Sequence, residues 1–241
     1  MKTIETGLRQ DLGLRTKDLV LEPPNSVLSP QSSVLIRFFG LVEYQPTWDA
    51  MRRFTAERTA DTRDEIWLLQ HPPVYTQGLA GKPEHLLRAT DVPVIKIDRG
   101  GQITYHGPGQ IVAYLLLDLR RWKINVRELV RLMEQAVIDL LEQYSIAAHG
   151  REEAPGVYVG DAKIAALGLK IKHGCCYHGL ALNVDMDLSP FNNINPCGFV
   201  GMPVTQVRNY DNYVLLAEVD QQLASIIATL LQHHLEQKEP A

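Results

Sequence analysis

The sequence is poor in cysteine, with three in 241 residues and two of them adjacent. That count makes no disulfide framework, and the expected compartment is the reducing cytoplasm. Long apolar runs are missing as well. No stretch approaches the roughly 18 residues that a membrane helix requires, so no membrane partner is expected. The first residues, MKTIETGLRQDLGLRTKDLVLEPP, lack the apolar core of a secretion signal, and Glu5 and Asp11 are out of place in an acid-poor transit peptide. Positive charge is not in excess. A net charge of −4 gives no general attraction to nucleic acid, so an acidic partner would have to meet a local basic patch. Lys96, Arg99, Arg120, Arg121, Lys123, Arg127 and Arg131 are the candidates for one.

What is present is an ordinary globular balance, 45% hydrophobic and 22% charged, on a chain long enough for a sizeable core. Residues 1–31 show no sustained period and are broken by Pro23, Pro24 and Pro30. They read as an N-terminal extension, disordered in part, with one domain over 32–241. VLIRFF after Ser33, EIWLLQ (65–70), VYTQG, VPVIKID (92–98) and IVAYLLLDL (111–119) read as strands. Thr47 is the expected cap of a helix over about 48–60, with Trp48, Met51, Arg52 and Thr55 near one face. Asn125 precedes the strongest helical pattern: Val126, Leu129, Val130, Met133, Ala136, Val137, Leu140 and Leu141 follow the i, i+3, i+4, i+7 rule. GVYVG, KIAALGLKIK and YHGLALNV follow as strands, the last two joined by a hairpin at His173-Gly174, and a final helix is expected over about 212–236. Clustered strands with helices between them predict an α+β fold, a mixed and largely antiparallel sheet flanked by helices.

Three stretches can carry chemistry. RGGQITYHGPGQ (99–110) holds four glycines and a proline, too many for a packed element, and reads as a loop. It matches neither nucleotide-phosphate glycine pattern. Its glycines admit close backbone approach to a ligand, while a tight turn with incidental polar residues is the plainer reading. In GDAKIAALGLKI (160–171), Lys163 has apolar neighbours. Alone it reads as an edge lysine with its stem on apolar surface and its head in water; partly buried, it would suit proton transfer. In INPCGFVG (194–201), Cys197 stands between proline and glycine, where no regular helix or central strand can run. His173, Cys175, Cys176 and His178 lie close in sequence, but adjacent strand residues point to opposite faces and no second cysteine pair completes a zinc set. No metal is expected.

HPPVYTQG (71–78), RGGQITYHGPGQIVAYLLLDL (99–119) and KIAALGLKIKHGCCYHGLALNVDMDLSPFNNINPCG (163–198) together resemble the octanoyltransferase, or lipoyl(octanoyl) transferase, family of lipoate biosynthesis. The resemblance covers about residues 34–235 in order and spacing, and leaves out the leader. Cys176 stands where the family more often has serine.

The resemblance implies the fold of the biotin/lipoate-protein ligase catalytic domain. It also implies transfer of an octanoyl group from acyl carrier protein to a lysine of lipoyl domains, those of 2-oxoacid dehydrogenase E2 subunits and the glycine cleavage H protein, with no cofactor. Cys197 would then be the acyl-thioester nucleophile and Lys163 its catalytic partner. The acyl site would be lined by Arg99, Gly100, Gly101, Gln102, Ile103, Thr104, Tyr105 and His106, by Ala166, Leu167 and Gly168, and by Gly179, Leu180 and Ala181. Two other readings are an ATP-dependent lipoate or biotin ligase, which needs no nucleophilic cysteine, and a thiol hydrolase or acyl-binding module.

Overall fold

The structure, a computed structural model, describes residues 34–238. The expected extension over 1–31 lies outside the described residues. Strand β2 (Asp64–Gln70), β6 (Gln110–Leu116) and β10 (Cys175–Asn183) are buried almost throughout, as residues packed on both faces of a sheet must be. They form the centre of a seven-stranded sheet. From one edge it runs β1 (Val34–Leu41), β2, β6, β10, β9 (Ala162–Lys172), β8 (Gly156–Val159) and β7 (His149–Gly150). β1 and β2 pair parallel and the other neighbours antiparallel, which is the mixed, largely antiparallel sheet expected.

Period-two alternation divides the core between the two faces. Ile66, Leu68, Ile111, Ala113 and Leu115 turn to helices α2 (Val126–Gln143) and α3 (Leu216–Lys238), which pack on each other. Trp67, Leu69, Val112, Tyr114 and Leu116 turn to Met51 of α1 (Tyr44–Glu57). The Asn125 side chain accepts from Glu128 N–H, while Glu128 accepts from Asn125 N–H, closing the first turn of α2 reciprocally. Such a cap contributes about 1 kcal/mol. Val126 stays exposed because the stripe meets the sheet only from Leu129 onward.

Two local expectations are corrected. α1 starts four residues before Trp48, and Thr47 is no cap: it lies inside the helix, its hydroxyl donating back to Glu43 O at 2.7 Å. Pro46 falls in the first turn, where a missing N–H has no partner to lose. The glycine-rich stretch is also not all loop. Ile103–His106 form β5, paired antiparallel with β3 (Val74–Gln77), which pairs parallel with β4 (Val94–Lys96). The glycines fall outside β5, so they interrupt its ends and not its ladder. α3 starts at Leu216, later than the pattern suggests.

Asp64 locks the end of the main sheet. Its carboxylate is fully buried and takes hydrogen bonds from Arg58, from Arg121 Nη1 at 3.0 Å, from Trp122 Nε1 at 2.8 Å and from Asp118 N–H at 2.8 Å. Removing one partner of a buried ion pair strands the other charges, so Asp64→Ala should cost about 3–5 kcal/mol. Urea unfolding measures it; a loss below about 1 kcal/mol, the range of an exposed pair, would contradict the role.

Candidate active site

Lys163 owes its position to an irregularity in β9. Val157 pairs with Ala165 and Tyr158 with Lys163, so Ile164 has no counterpart on β8. The extra residue is a β-bulge, which reverses alternation beyond it. Ile164 and Ala165 both enter the α2/α3 core, and Lys163 turns to the opposite face, shared with Ala166. There it is 3% exposed. Its Nζ donates to Pro155 O at 3.0 Å and lies 5.3 Å from the Tyr158 ring centre. Gly156 makes this possible, since a Cβ there would overlap Lys163 Cε. The edge-lysine reading with a hydrated head is therefore corrected: the head is buried among backbone and aromatic groups.

The same face carries a cleft. Its floor is two rows of small residues on adjacent strands, Ala166 paired with Ala181 and Gly168 with Gly179. Val112 and Tyr114, opposite Ala181 and Gly179 on β6, extend the floor. The cover comes from Gly101, Gln102, Ile103, Thr104 and His106, with Tyr44 at the side. Because β8 stops at Gly156, opposite Ala166, the 99–101 loop can dock on the exposed edge of β9. Gly100 N–H donates to Leu169 O at 3.0 Å.

Polar groups around the cleft are held in defined states. Arg99 Nη2 donates to Thr76 O at 2.8 Å and Thr76 Oγ1 at 3.1 Å, and Nη1 to Gly100 O at 2.8 Å. His106 Nδ1–H donates to Gln110 Oε1 at 2.7 Å, which leaves Nε2 to accept from Thr76 Oγ1 at 3.2 Å. His71 Nδ1–H donates to Val42 O at 2.7 Å, so its Nε2 accepts from the Tyr114 hydroxyl at 2.8 Å. Burial pushes the pKa of His71 down to about 4 and that of His106 down to about 3, so both rings are neutral at pH 7.

The segment bearing Cys197 is fixed at both ends. Pro196–Gly198 form a 3₁₀ turn packed on β5. Gly198 has φ of +80°, a conformation that glycine adopts without strain. Upstream, Asn195 N–H donates to His85 O at 2.9 Å. Downstream, Lys163 N–H donates to Pro203 O at 2.8 Å and Thr205 N–H to Lys163 O at 2.9 Å. Asn183 Nδ2 adds a bond to Thr205 O at 3.0 Å. The backbone leaving the turn thus runs along Lys163.

Most residues expected to line an acyl site meet at the cleft. Two do not. Tyr105 alternates away and packs its ring on Tyr75 and Phe191, at 5.3 and 5.5 Å; Gly100 joins the loop to β9 behind the lining. Tyr44, Val112, Tyr114 and His178 line the cleft unforeseen. Four members of the candidate basic patch are buried or paired within the fold. Arg99 is buried, Arg121 holds Asp64, and Arg120 and Arg131 pair with Asp118 and Glu152. Cys176 packs in the α2/α3 core, and burial pushes its pKa up to about 12.

Comparison with known proteins agrees with this architecture. The lipoyl protein ligase A/B catalytic domain family matches residues 43–228. An octanoyltransferase of Nitrosomonas europaea is 61% identical over 196 residues, covering 81% of this chain and 94% of its own length. One from Dechloromonas aromatica is 62% identical over 190 residues, covering 79% and 93%. Among solved structures, a bipartite lipoate protein ligase of Thermoplasma acidophilum superimposes with a TM-score of 0.64 at 16% identity, covering 82% and 84%. Biotin protein ligase from Aquifex aeolicus gives 0.51 at 12% identity, covering 85% and 71%; at such identities these two speak for the fold alone. The chain belongs to the lipoyl protein ligase A/B catalytic domain family. Within it, the chain falls among the octanoyltransferases and is an acyltransferase.

The buried histidines imply an acid-labile fold. Their folded pKa values lie below the unfolded value of about 6.5, so the unfolded chain binds more protons between pH 6.5 and 4. Stability present above pH 6.5 should fall through that window by about 1.4 kcal/mol per pH unit per proton. Asp220 acts oppositely below pH 6, because burial pushes its carboxyl up to about 6. Urea midpoints from pH 7.5 to 4.5 should therefore decline, and His71→Gln should flatten the slope. A wild-type profile level across this range would contradict the neutral, buried assignment.

Proposed function

We propose that this chain transfers an octanoyl group from octanoyl-acyl carrier protein to a lysine of lipoyl domains, through a thioester at Cys197 and without ATP. The observation that carries the reading is the junction at Lys163, a buried lysine at one end of an apolar-floored cleft. The backbone that leaves the Pro196–Gly198 turn is hydrogen-bonded along it.

In the first half-reaction the Cys197 thiolate attacks the carrier thioester. The S–C bond to the carrier breaks, and the carrier leaves as a thiol after taking a proton from the Lys163 ammonium, which is left as a neutral amine. An ammonium nearby favours the thiolate of a free cysteine, which is the first role assigned to Lys163. Exchange of one thioester for another changes little in bond energy, so binding of the chain directs the step. Burial of about six methylenes could contribute up to roughly 5 kcal/mol. In the second half-reaction the acceptor lysine amine attacks the Cys197 thioester, the amide forms, and the Cys197 thiolate departs. The proton lost by the amine goes to Lys163, its second role.

The accepting proteins are lipoyl domains of 2-oxoacid dehydrogenase E2 subunits and the glycine cleavage H protein, and the site of action is the cytoplasm. No described helix is long and apolar enough to cross a membrane, which agrees with carriers and acceptors met in solution.

Intact-mass analysis after mixing with octanoyl carrier protein alone tests the reading. Wild type should gain one octanoyl group and lose it on addition of lipoyl domain. Cys197→Ser should gain none, while Cys175→Ser and Cys176→Ser should still acylate. An adduct mapped to Cys175 or Cys176, or a strict requirement for ATP, would overturn it.

A further inference from the structure

His178 occupies a conformation that its strand does not require. It sits inside β10 with φ of +63°, a region costly for any residue with a Cβ. Its sequence neighbours of the same parity, Cys176, Leu180 and Leu182, all enter the α2/α3 core. His178 instead lines the cleft on the other face, 2% exposed, with its ring 5.9 Å from that of Tyr114. The left-handed backbone turns the imidazole out of the alternation. The adjoining Gly179 complements this, since a Cβ there would overlap the carbonyl oxygen of Ala113.

The ring is also pinned. Its Nε2–H donates to Asp98 Oδ1 at 3.2 Å. The same carboxylate accepts from Trp48 Nε1 of α1 at 3.0 Å and from the Tyr177 hydroxyl. Among the described hydrogen bonds, none reaches His178 Nδ1. Three donors from α1 and β10 thus hold Asp98, and Asp98 holds the imidazole.

The place matters because of the register. From the Lys163 end, the rows along the cleft face are Ala166 with Ala181, then Gly168 with Gly179, then Lys170 with Tyr177. The small-residue floor ends where His178 and Tyr177 begin. The span from Ala166 to Lys170 is about 13 Å at the usual strand rise. An extended octanoyl chain measures about 9 Å from carbonyl to methyl, at ordinary C–C bond lengths. The rings at the last row take up the remainder, so a chain entering from the Lys163 end meets His178 at about its terminal methyl.

We propose that His178, held by Asp98, is the end wall of the acyl slot and sets the length of chain the enzyme accepts. This rests on the transfer reading above. The assignment is one of specificity: the imidazole touches the end of the substrate and takes no part in bond making.

Acylation by carrier proteins loaded with octanoyl, decanoyl and dodecanoyl chains tests it, with the rate for each read by intact mass. His178→Gly removes the wall and suits the positive φ; His178→Asn shortens the side chain and also tolerates that conformation. The dodecanoyl-to-octanoyl rate ratio should rise at least about tenfold in the glycine variant and by a smaller factor in the asparagine variant. A general loss of stability would slow all chains alike and leave the ratio where it was. A ratio within about twofold of wild type in both variants, each confirmed folded by its unfolding transition, would overturn the end-wall assignment. Absence of any adduct on wild type, whatever the chain, would instead overturn the transfer reading and this proposal with it.

Discussion

One unpaired residue decides which face of the sheet receives Lys163. In a regular β9, Lys163 would share a face with Ala165 and drive an ammonium into the α2/α3 core, where an unmatched charge costs several kcal/mol. The bulge at Ile164 moves it to the cleft face, beside Gly156 and under the Pro203–Thr205 strap. β8 then ends at Gly156, which leaves the edge of β9 open for the 99–101 loop. The direction of the lysine thus follows from the bulge, and the docking of the cover from the end of the β8–β9 ladder.

The cleft itself is made by subtraction. Alanine and glycine at four positions on two adjacent strands leave a trough in a sheet filled elsewhere by larger side chains, mostly leucine, isoleucine and valine on the α2/α3 face and tryptophan, tyrosine and leucine beside α1. Around it, three buried polar side chains each hold two partners: Arg99 with Thr76 and Gly100, His106 with Gln110 and Thr76, His71 with Val42 and Tyr114. Desolvation opposes ionisation of Asp98, but the hydrogen bonds from His178, Tyr177 and Trp48 outweigh it and hold that carboxyl well below the usual range. Satisfied buried networks of this kind hold their members in fixed positions, because hydrogen bonds are directional. The cost is concentrated at His178 and in the buried neutral rings, the kind of local inconsistency expected at functional positions.

Much of the fold could be read in advance. Helix α2 declared itself by its apolar stripe and by Asn125, and the β9–β10 hairpin by His173-Gly174, because both signals are local. The strand inside RGGQITYHGPGQ was hidden by its glycines, although Ile103 to His106 alternate normally between them. The start of α1 was missed because Pro46 and Thr47 look like a boundary, whereas both are compatible with a first turn. Orientation was the least legible property. Tyr105 and His106 are neighbours in sequence yet face opposite sides of β5. Lys163 and His178 take their directions from a bulge and a left-handed residue, which leave no periodic trace in the runs KIAALG and YHGLALNV. Val112 and Tyr114 reach the cleft from a run read only as a strand, and Tyr44 from the first turn of α1, ahead of where the helix was expected to start. The motif stretches carried the site, and the tertiary register decided which side of each stretch it uses.

The central claim is that Lys163, placed by the bulge, exchanges a proton with the reacting groups and is more than a packed cation. Single-turnover kinetics of the two half-reactions in Lys163→Arg and Lys163→Ala test this most directly. Arginine keeps a positive charge but cannot accept a proton at any working pH. The account predicts that Lys163→Arg retains acylation by the carrier better than Lys163→Ala, and that both lose transfer to the lipoyl domain. Wild-type rates for both halves in Lys163→Arg would contradict it.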